Sequence, residues 1–243
     1  MEKYFDSTCY VAPVYEEAHL HCKQRMFEHL AHQTTKYFDF CERRRLLVDF
    51  GCSYGHLGQA FQATGWDVIG VDIAPSVLEY HQKHGTFPVY ANLDTPEIPD
   101  GSVDAIVMMD VICYFENPIE MLELAYKKLA NPGVLLFRVP NRAHFIRWAA
   151  YLQKVLPINV IRRFECDHKS YWSTKTVKLA AQKVGFDKVN IIRREKGFWH
   201  PWPRKILHWI TQLLSHLTCG AIDLSMVFHA QLWKGHPQSA EAN

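Results

Sequence analysis

The sequence predicts a doubly wound α/β fold, a sheet of seven strands flanked by helices. Three observations carry that expectation. Short apolar runs alternate with helix-period patterns along the 243 residues, as parallel sheets with crossover helices require. The runs are rich in Val, Ile and Leu with little polar alternation, which fits strands buried on both faces. The first of them lies in LLVDFGCSYGHLG, Leu46 to Gly58, and ends in an acid and a glycine turn that leads into a helix.

Taken in order, Tyr15 to Phe40 reads as a helical cap. Strands follow at Leu46–Phe50, Asp67–Val71, Pro88–Ala91, Val103–Met109 and Val134–Val139, with helices at His56–Ala63, Ser76–Lys83 and Pro118–Leu129 between them. In the last helix Ile119, Leu122, Ala125, Tyr126 and Leu129 mark one face. Asn117-Pro118 starts it and Asn131-Pro132-Gly133 stops it. A looser segment, Asn141 to Lys169, precedes a helix at Thr174–Val184, a strand at Lys188–Arg193 and a last strand at Met226–Trp233. The expected organisation is one domain over 1–243. It has a helical cap at 1–44, a core at 45–195, a Trp-rich amphipathic insertion at 196–224, a final strand at 225–234 and a polar tail at 235–243.

Composition narrows the function. The formal net charge is +2, from 27 basic and 25 acidic residues, which is too balanced to argue for nucleic acid. Seven cysteines are dispersed without a C-x-x-C pair, the usage of reduced thiols in the cytoplasm. The N-terminus does not read as a signal peptide, and no apolar run reaches the ~18 residues of a bilayer span.

Glycine at a strand–helix turn lets the backbone come close to a ligand, and the first N–H groups of the helix then point at it. Spacing separates the possible ligands. Gly51 is followed two places later by Ser53 rather than glycine, and no Gly-Lys-Ser or Gly-Lys-Thr follows. The turn therefore departs from both the dinucleotide fingerprint and the phosphate loop. A second strand ends at Asp72, 21 residues after Gly51. A carboxylate there can accept both hydroxyls of a ribose, and Ile73 can cover one face of a purine. The plainer reading of Asp72 is a cap for the helix at Pro75.

In order, VDFGCSYGHLG, VIGVDIAPSVLEY, ANLDTPEIPDGSVDAIVMMDVICYFENP and LANPGVLLFRVPN resemble the motifs of class I S-adenosylmethionine-dependent methyltransferases over residues 45–195. DHKSYWSTKTVKLAAQKVGF resembles a small-molecule subgroup near the quinone-pathway O-methyltransferases. The resemblance implies a Rossmann-like sheet, mostly parallel with an antiparallel last strand. The implied cofactor is S-adenosyl-L-methionine, with S-adenosyl-L-homocysteine as product. By the same resemblance Asp49 anchors the methionine amino group, and the backbone at Gly51, Cys52, Ser53 and Gly55 carries the methionine part. Asp72 holds the ribose, Ile73 and Leu93 sandwich the adenine, Asn92 accepts from its amine, and Met109 lines the cavity under the sulfonium. Three positions depart from the pattern. Ser53 replaces the middle glycine, Asn92 stands where an Asp is common, and Cys113-Tyr114 stands where a Glu-His pair is frequent.

Methyl transfer to a hydroxyl benefits from a general base. His168, preceded by Asp167, is the first candidate because imidazole titrates near working pH. Asp110 and Tyr114 follow, with Asn141 and His144 further behind. No metal is expected: His29 and His32 share a helix face, and His19 and His21 lie upstream, but no set of ligands completes a site. Arg43-Arg44-Arg45 reads as a solvated face or as a contact to an acidic substrate. In the insertion, Ile206, Trp209, Ile210, Leu213, Leu214 and Leu217 make one apolar stripe. It is open to packing as a lid, to peripheral membrane contact through 198–218, or to dimerisation. The expected function is methyl transfer to a small-molecule or lipid-linked acceptor, at oxygen by resemblance. The alternatives are an NAD-dependent oxidoreductase and a non-catalytic nucleoside-binding protein of the same fold.

Overall fold

The computed structural model describes residues 13–38, 43–141, 168–192 and 227–235, and of residues 13–22 the backbone alone. The readings on His144, on Asp167, on the insertion at 196–224, on the tail past 235 and on the side chains of His19 and His21 lie outside the described residues.

The described elements are helix α1 (Pro13–Tyr37), strand β1 (Arg45–Phe50), α2 (His56–Gln62), β2 (Trp66–Val71), α3 (Pro75–His84), β3 (Val89–Tyr90) and β4 (Val103–Met109). After a short 3₁₀ turn at Ile112–Tyr114 come α4 (Pro118–Lys128), β5 (Leu129–Pro140), α5 (Thr174–Val184), β6 (Lys188–Ile192) and β7 (Val227–Lys234). The strands form one sheet in the order β3-β2-β1-β4-β5-β7-β6. β1 to β5 pair in parallel, and β7 runs antiparallel to both neighbours. The order reverses between β1 and β4, and a doubly wound sheet opens its ligand crevice at that point.

β4 is buried on both faces, as its apolar run requires. Ile106 and Met108 pack with Leu122 of α4, Val177 of α5 and Leu135 of β5. Ala105 and Val107 pack with Ala31 and Phe38 at α1 and with Leu57 and Phe61 of α2. On that second face Phe38 meets Trp66 edge-on at 5.4 Å and Trp233 at 6.1 Å, which locks the end of α1 onto the sheet.

One reading is corrected. The Asn131-Pro132-Gly133 stop does not leave a loop. α4 ends at Lys128, and β5 begins at once with Leu129 paired to Val103, before a register shift carries Val134 opposite Ala105. The Arg43–Arg45 run is solvated, with the Arg43 and Arg44 side chains 56% and 79% exposed, and it also anchors the sheet. Arg43 grips the buried carboxylate of Asp104 at 2.5 and 2.9 Å, Arg44 pairs with Asp67 at 3.0 Å, and Arg45 lies over the Trp66 ring at 5.8 Å. The Leu46 N–H also donates to Asp104 at 2.8 Å, so the run pins the amino ends of β1, β2 and β4 together.

Candidate functional site

The turn after β1 is built on three residues with positive φ, Gly51 (77°), Ser53 (47°) and Gly55 (84°). Glycine adopts that region freely, whereas a side chain pays for it. The Val71 carbonyl accepts from both Gly51 N–H (2.7 Å) and Cys52 N–H (3.2 Å), which ties the turn to the end of β2. A Cβ on Gly51 would collide with the Val111 side chain from the β4 side. The turn is thus wedged between two strand ends.

Beyond it opens a cavity of about 310 Å³ at the carboxyl ends of β1, β2 and β4. Asp72 stands at its rim. Its Oδ2 accepts from Ser53 N–H and its Oδ1 from Ala74 N–H, both at 3.0 Å. The helix-capping reading is met only in part: Ala74 occupies the N-cap of α3 without a side-chain cap, while Asp72 ties the turn before it. His81 of α3 closes the same brace, its Nε2–H donating to the Ser53 carbonyl at 2.7 Å.

Of the residues expected to hold a cofactor, Gly51, Ser53, Asp72, Ile73, Asn92, Leu93 and Met109 line this one cavity. Leu93 is buried and Ile73 half-exposed, so each offers an apolar surface from a different depth. Asp49 and Cys52 are not in the lining; they lie buried beneath the turn. The Asp49 carboxylate accepts from Gly58 N–H of α2 at 3.1 Å. Burial pushes its pKa up to about 7, the Gly58 N–H pulls it down, and the nearby Asp72 charge raises it again. Burial likewise pushes the Cys52 thiol up, with the Asp49 and Asp72 charges adding to the rise.

Of the catalytic candidates, Asp110 and Tyr114 line the cavity and His168 does not. Asp110 has φ 59°, and its Oδ2 is clamped by the Arg138 guanidinium of β5. Its N–H donates to the Arg138 carbonyl at 2.9 Å. His168 stands edge-on to the Tyr114 ring at 5.0 Å. The segment that carries it is stitched to the 3₁₀ turn by Lys169 and Ser170 N–H groups, which both donate to the Cys113 carbonyl, at 2.8 and 3.0 Å.

Sequence reasoning missed Tyr54, Asp94, Val111 and Phe115, which also line the cavity. Asp94 is held by the buried ammonium of Lys128 at 3.2 Å, and that ammonium also donates to the Ile98 carbonyl at 2.8 Å. An acid two places after Asn92 was the only local signal. A second cavity, of about 280 Å³, lies between α1 and the β5–β7 side of the sheet, and Met109 lines both. Among the described residues no cluster of three or more His, Cys, Asp or Glu could hold a metal, and no helix is long and apolar enough to cross a membrane.

Comparison with known proteins points the same way. A ubiquinone biosynthesis O-methyltransferase of Methylococcus capsulatus is 27% identical over 126 residues, 46% of this chain and 53% of that protein. The corresponding protein of Acinetobacter baylyi is 26% identical over 125 residues, 46% and 52% of the two chains. The chain thus matches about half the length of these curated relatives. Among solved structures, the plantazolicin methyltransferase BpumL in complex with SAH superposes with a TM-score of 0.60 at 18% identity, over 91% of this chain and 88% of that one. A SAM-dependent methyltransferase from Archaeoglobus fulgidus gives 0.55 at 17% identity, over 89% and 99%. Haemonchus contortus phosphoethanolamine N-methyltransferase 2, complexed with S-adenosylhomocysteine, gives 0.60 at 14%, over 97% and 60%. At such identities the structures speak for the fold. The family model described as a methyltransferase domain matches residues 22–191, and with the glycine turn, the strand-end acid and the parallel strands β1 to β5 all within that span, the chain belongs to the methyltransferase domain family.

Proposed function

We propose that the chain binds S-adenosylmethionine in the cavity at the ends of β1, β2 and β4 and transfers its methyl group to a small-molecule acceptor, at oxygen. One observation carries the reading. Asp72 stands at the cavity rim with each oxygen already accepting one backbone N–H. An ionised carboxylate has about four acceptor positions, so two remain for the neighbouring hydroxyls of a ribose.

The donor set fits the group. Ile73 and Leu93 offer apolar faces for a purine, and the Asn92 amide lies in the same lining. Gly51 and Ser53, in the same lining, would carry the methionine part. Tyr114 and Phe115 supply ring faces near a sulfonium. Buried Asp49 braces the turn from below through Gly58, and in this reading anchors the amino group through the loop.

When bound, S-adenosylmethionine supplies an activated methyl: as the acceptor's bond to carbon forms, the carbon–sulfur bond breaks, the electron pair leaves on sulfur and the acceptor's proton passes to a base or solvent. The leaving group is good, so alignment can supply much of the rate. His168, outside the cavity and edge-on to Tyr114, acts as a positioning residue for that phenol rather than as the base. The O-methyltransferase relatives support oxygen as the acceptor atom. The buried thiols of Cys52 and Cys113, joined in no disulfide, support a reducing, cytoplasmic setting.

Calorimetric titration with S-adenosylhomocysteine, and with NAD in a parallel cell, tests the reading. Micromolar binding of the first and none of the second is expected. Preference for NAD would favour an oxidoreductase. Binding of S-adenosylhomocysteine with no turnover of any acceptor would favour a non-catalytic nucleoside-binding protein.

A further inference from the structure

The register of the sheet sets Met109, Arg138, His229 and Ile192 side by side across β4, β5, β7 and β6. Side chains alternate along a strand, so all four share the face that α1 covers. Three of them line the second cavity; Arg138, buried and clamped to Asp110, does not. From the opposite side α1 contributes His29 and Gln33, and the next rung of β7 contributes Gln231. The rest of the described lining is apolar apart from the Tyr37 phenol, and it includes Leu30, Leu136 and Phe137. No Asp, Glu, Lys or Arg is among the described residues that line this cavity.

We propose that this cavity is the acceptor chamber and that it takes an uncharged, mostly apolar hydroxyl compound; the assignment rests on the methyl-donor reading above. Met109 is the wall common to the two cavities, so a molecule in the second approaches the methyl past that flexible thioether. At about 280 Å³ the chamber lies just below the usual range for ligand pockets, about 300–1,000 Å³. It fits one ring system or a short chain, and a longer lipid tail would have to leave through the mouth. The wall chemistry decides the charge. Among the described lining residues a phosphorylated acceptor would meet no Lys or Arg and an ammonium no carboxylate, and either uncompensated burial is unfavourable. Imidazole and carboxamide groups both donate and accept, which suits a neutral hydroxyl or carbonyl.

The test uses protein saturated with S-adenosylhomocysteine and labelled with ¹⁵N at histidine. It is titrated with 2-naphthol and with two charged counterparts, 2-naphthyl phosphate and 2-naphthylmethylamine. The neutral probe is expected to shift the His29 and His229 imidazole resonances saturably and to bind at least tenfold more tightly than either counterpart. Gln33→Trp, at a half-buried wall position, is expected to weaken 2-naphthol at least tenfold and leave S-adenosylhomocysteine affinity within twofold. Leu30→Trp is a second wall variant should the first fail to fold. The proposal is overturned if a charged counterpart binds as tightly, if 2-naphthol moves neither imidazole, or if the folded wall variants bind it unchanged. Failure of S-adenosylhomocysteine to bind would overturn the donor reading and the acceptor role with it. Naphthol shifts at His29 and His229 in that case would still mark the cavity as a ligand site of another kind.

Discussion

On the β1–β2 side of the first cavity, Asp72 gives each oxygen to a neutral backbone N–H. On the β4–β5 side, Asp110 is clamped by the guanidinium of Arg138. Both acids end a buried strand and both line the same space, yet only one keeps its full charge for a visitor. Amide donors fix a carboxylate without neutralising it, whereas a guanidinium fixes and neutralises it together. The first side is therefore suited to binding. The second holds a turn with positive φ at Asp110 in shape.

The strongest way to break the binding side is Gly51→Ala. It forces a side chain into φ 77° and against Val111, a loss on the order of 3 kcal/mol from left-handed strain and overpacking together. Chemical denaturation would read it, and unchanged stability would mean that the turn relaxes without cost. Next is Arg138→Met, which leaves Asp110 without its cation and should cost about 2–3 kcal/mol, since the carboxylate is only partly exposed. Adding Asp110→Asn should recover much of that loss, and strict additivity of the two substitutions would dissolve the contrast drawn here. Asp72→Ala should weaken S-adenosylhomocysteine binding by about 2 kcal/mol, the scale of hydrogen bonds to a charged group. Calorimetry that finds no change would remove the ribose assignment.

Asp49 gives a pH-dependent effect that is smaller than these for each pH unit. Its folded pKa lies above the ordinary carboxylate value, near 7, so between those two values the folded state holds more proton than the unfolded one. Stability then falls as pH rises through that window, by at most about 1.4 kcal/mol per unit. Melts of Asp49→Asn from pH 4 to 8 should lack this slope, and a slope equal to the wild type would place the titration elsewhere. The smallest expected effect is that of His168→Ala, about 0.5–1 kcal/mol for one ring contact. It should appear in kcat rather than in cofactor affinity, with recovery in His168→Phe. An equal loss in the Phe variant would mean that the ring contact is not what His168 contributes.

The binding side was legible because its signals are local. Gly51, Ser53 and Gly55 lie within one turn, and Asp72 falls at the end of the next apolar run, so strand ends and spacing alone brought them together. Ile73 followed from the same strand end, and Leu93 from the resemblance. The other side was not legible, because its partners are distant in sequence. Arg138 reaches Asp110 across 28 positions, and no local pattern announces a salt bridge between adjacent strands. Lys128 holds Asp94 and Asp100 from a distance in sequence in the same way. The depth of Asp49 was hidden too, since an acid at a strand end reads alike whether it faces a ligand or the underside of a helix. The start of β5 was misread because Asn131-Pro132-Gly133 signals a break locally, while pairing of Leu129 with Val103 overrides it. His29 and His229 share a wall only because α1 crosses the sheet above β7, a placement that helix periodicity does not encode.

Ser53 sits where a glycine would be at ease, and both of its peptide groups are tied to the unit that follows β2, its N–H to Asp72 and its carbonyl to His81. The shape of the turn is therefore set by bonds within the chain itself, with little ordering left for a ligand to impose. Association should be a single concentration-dependent step limited by encounter rather than by a slow rearrangement. Loosening of the clamp should register first as a slower on-rate.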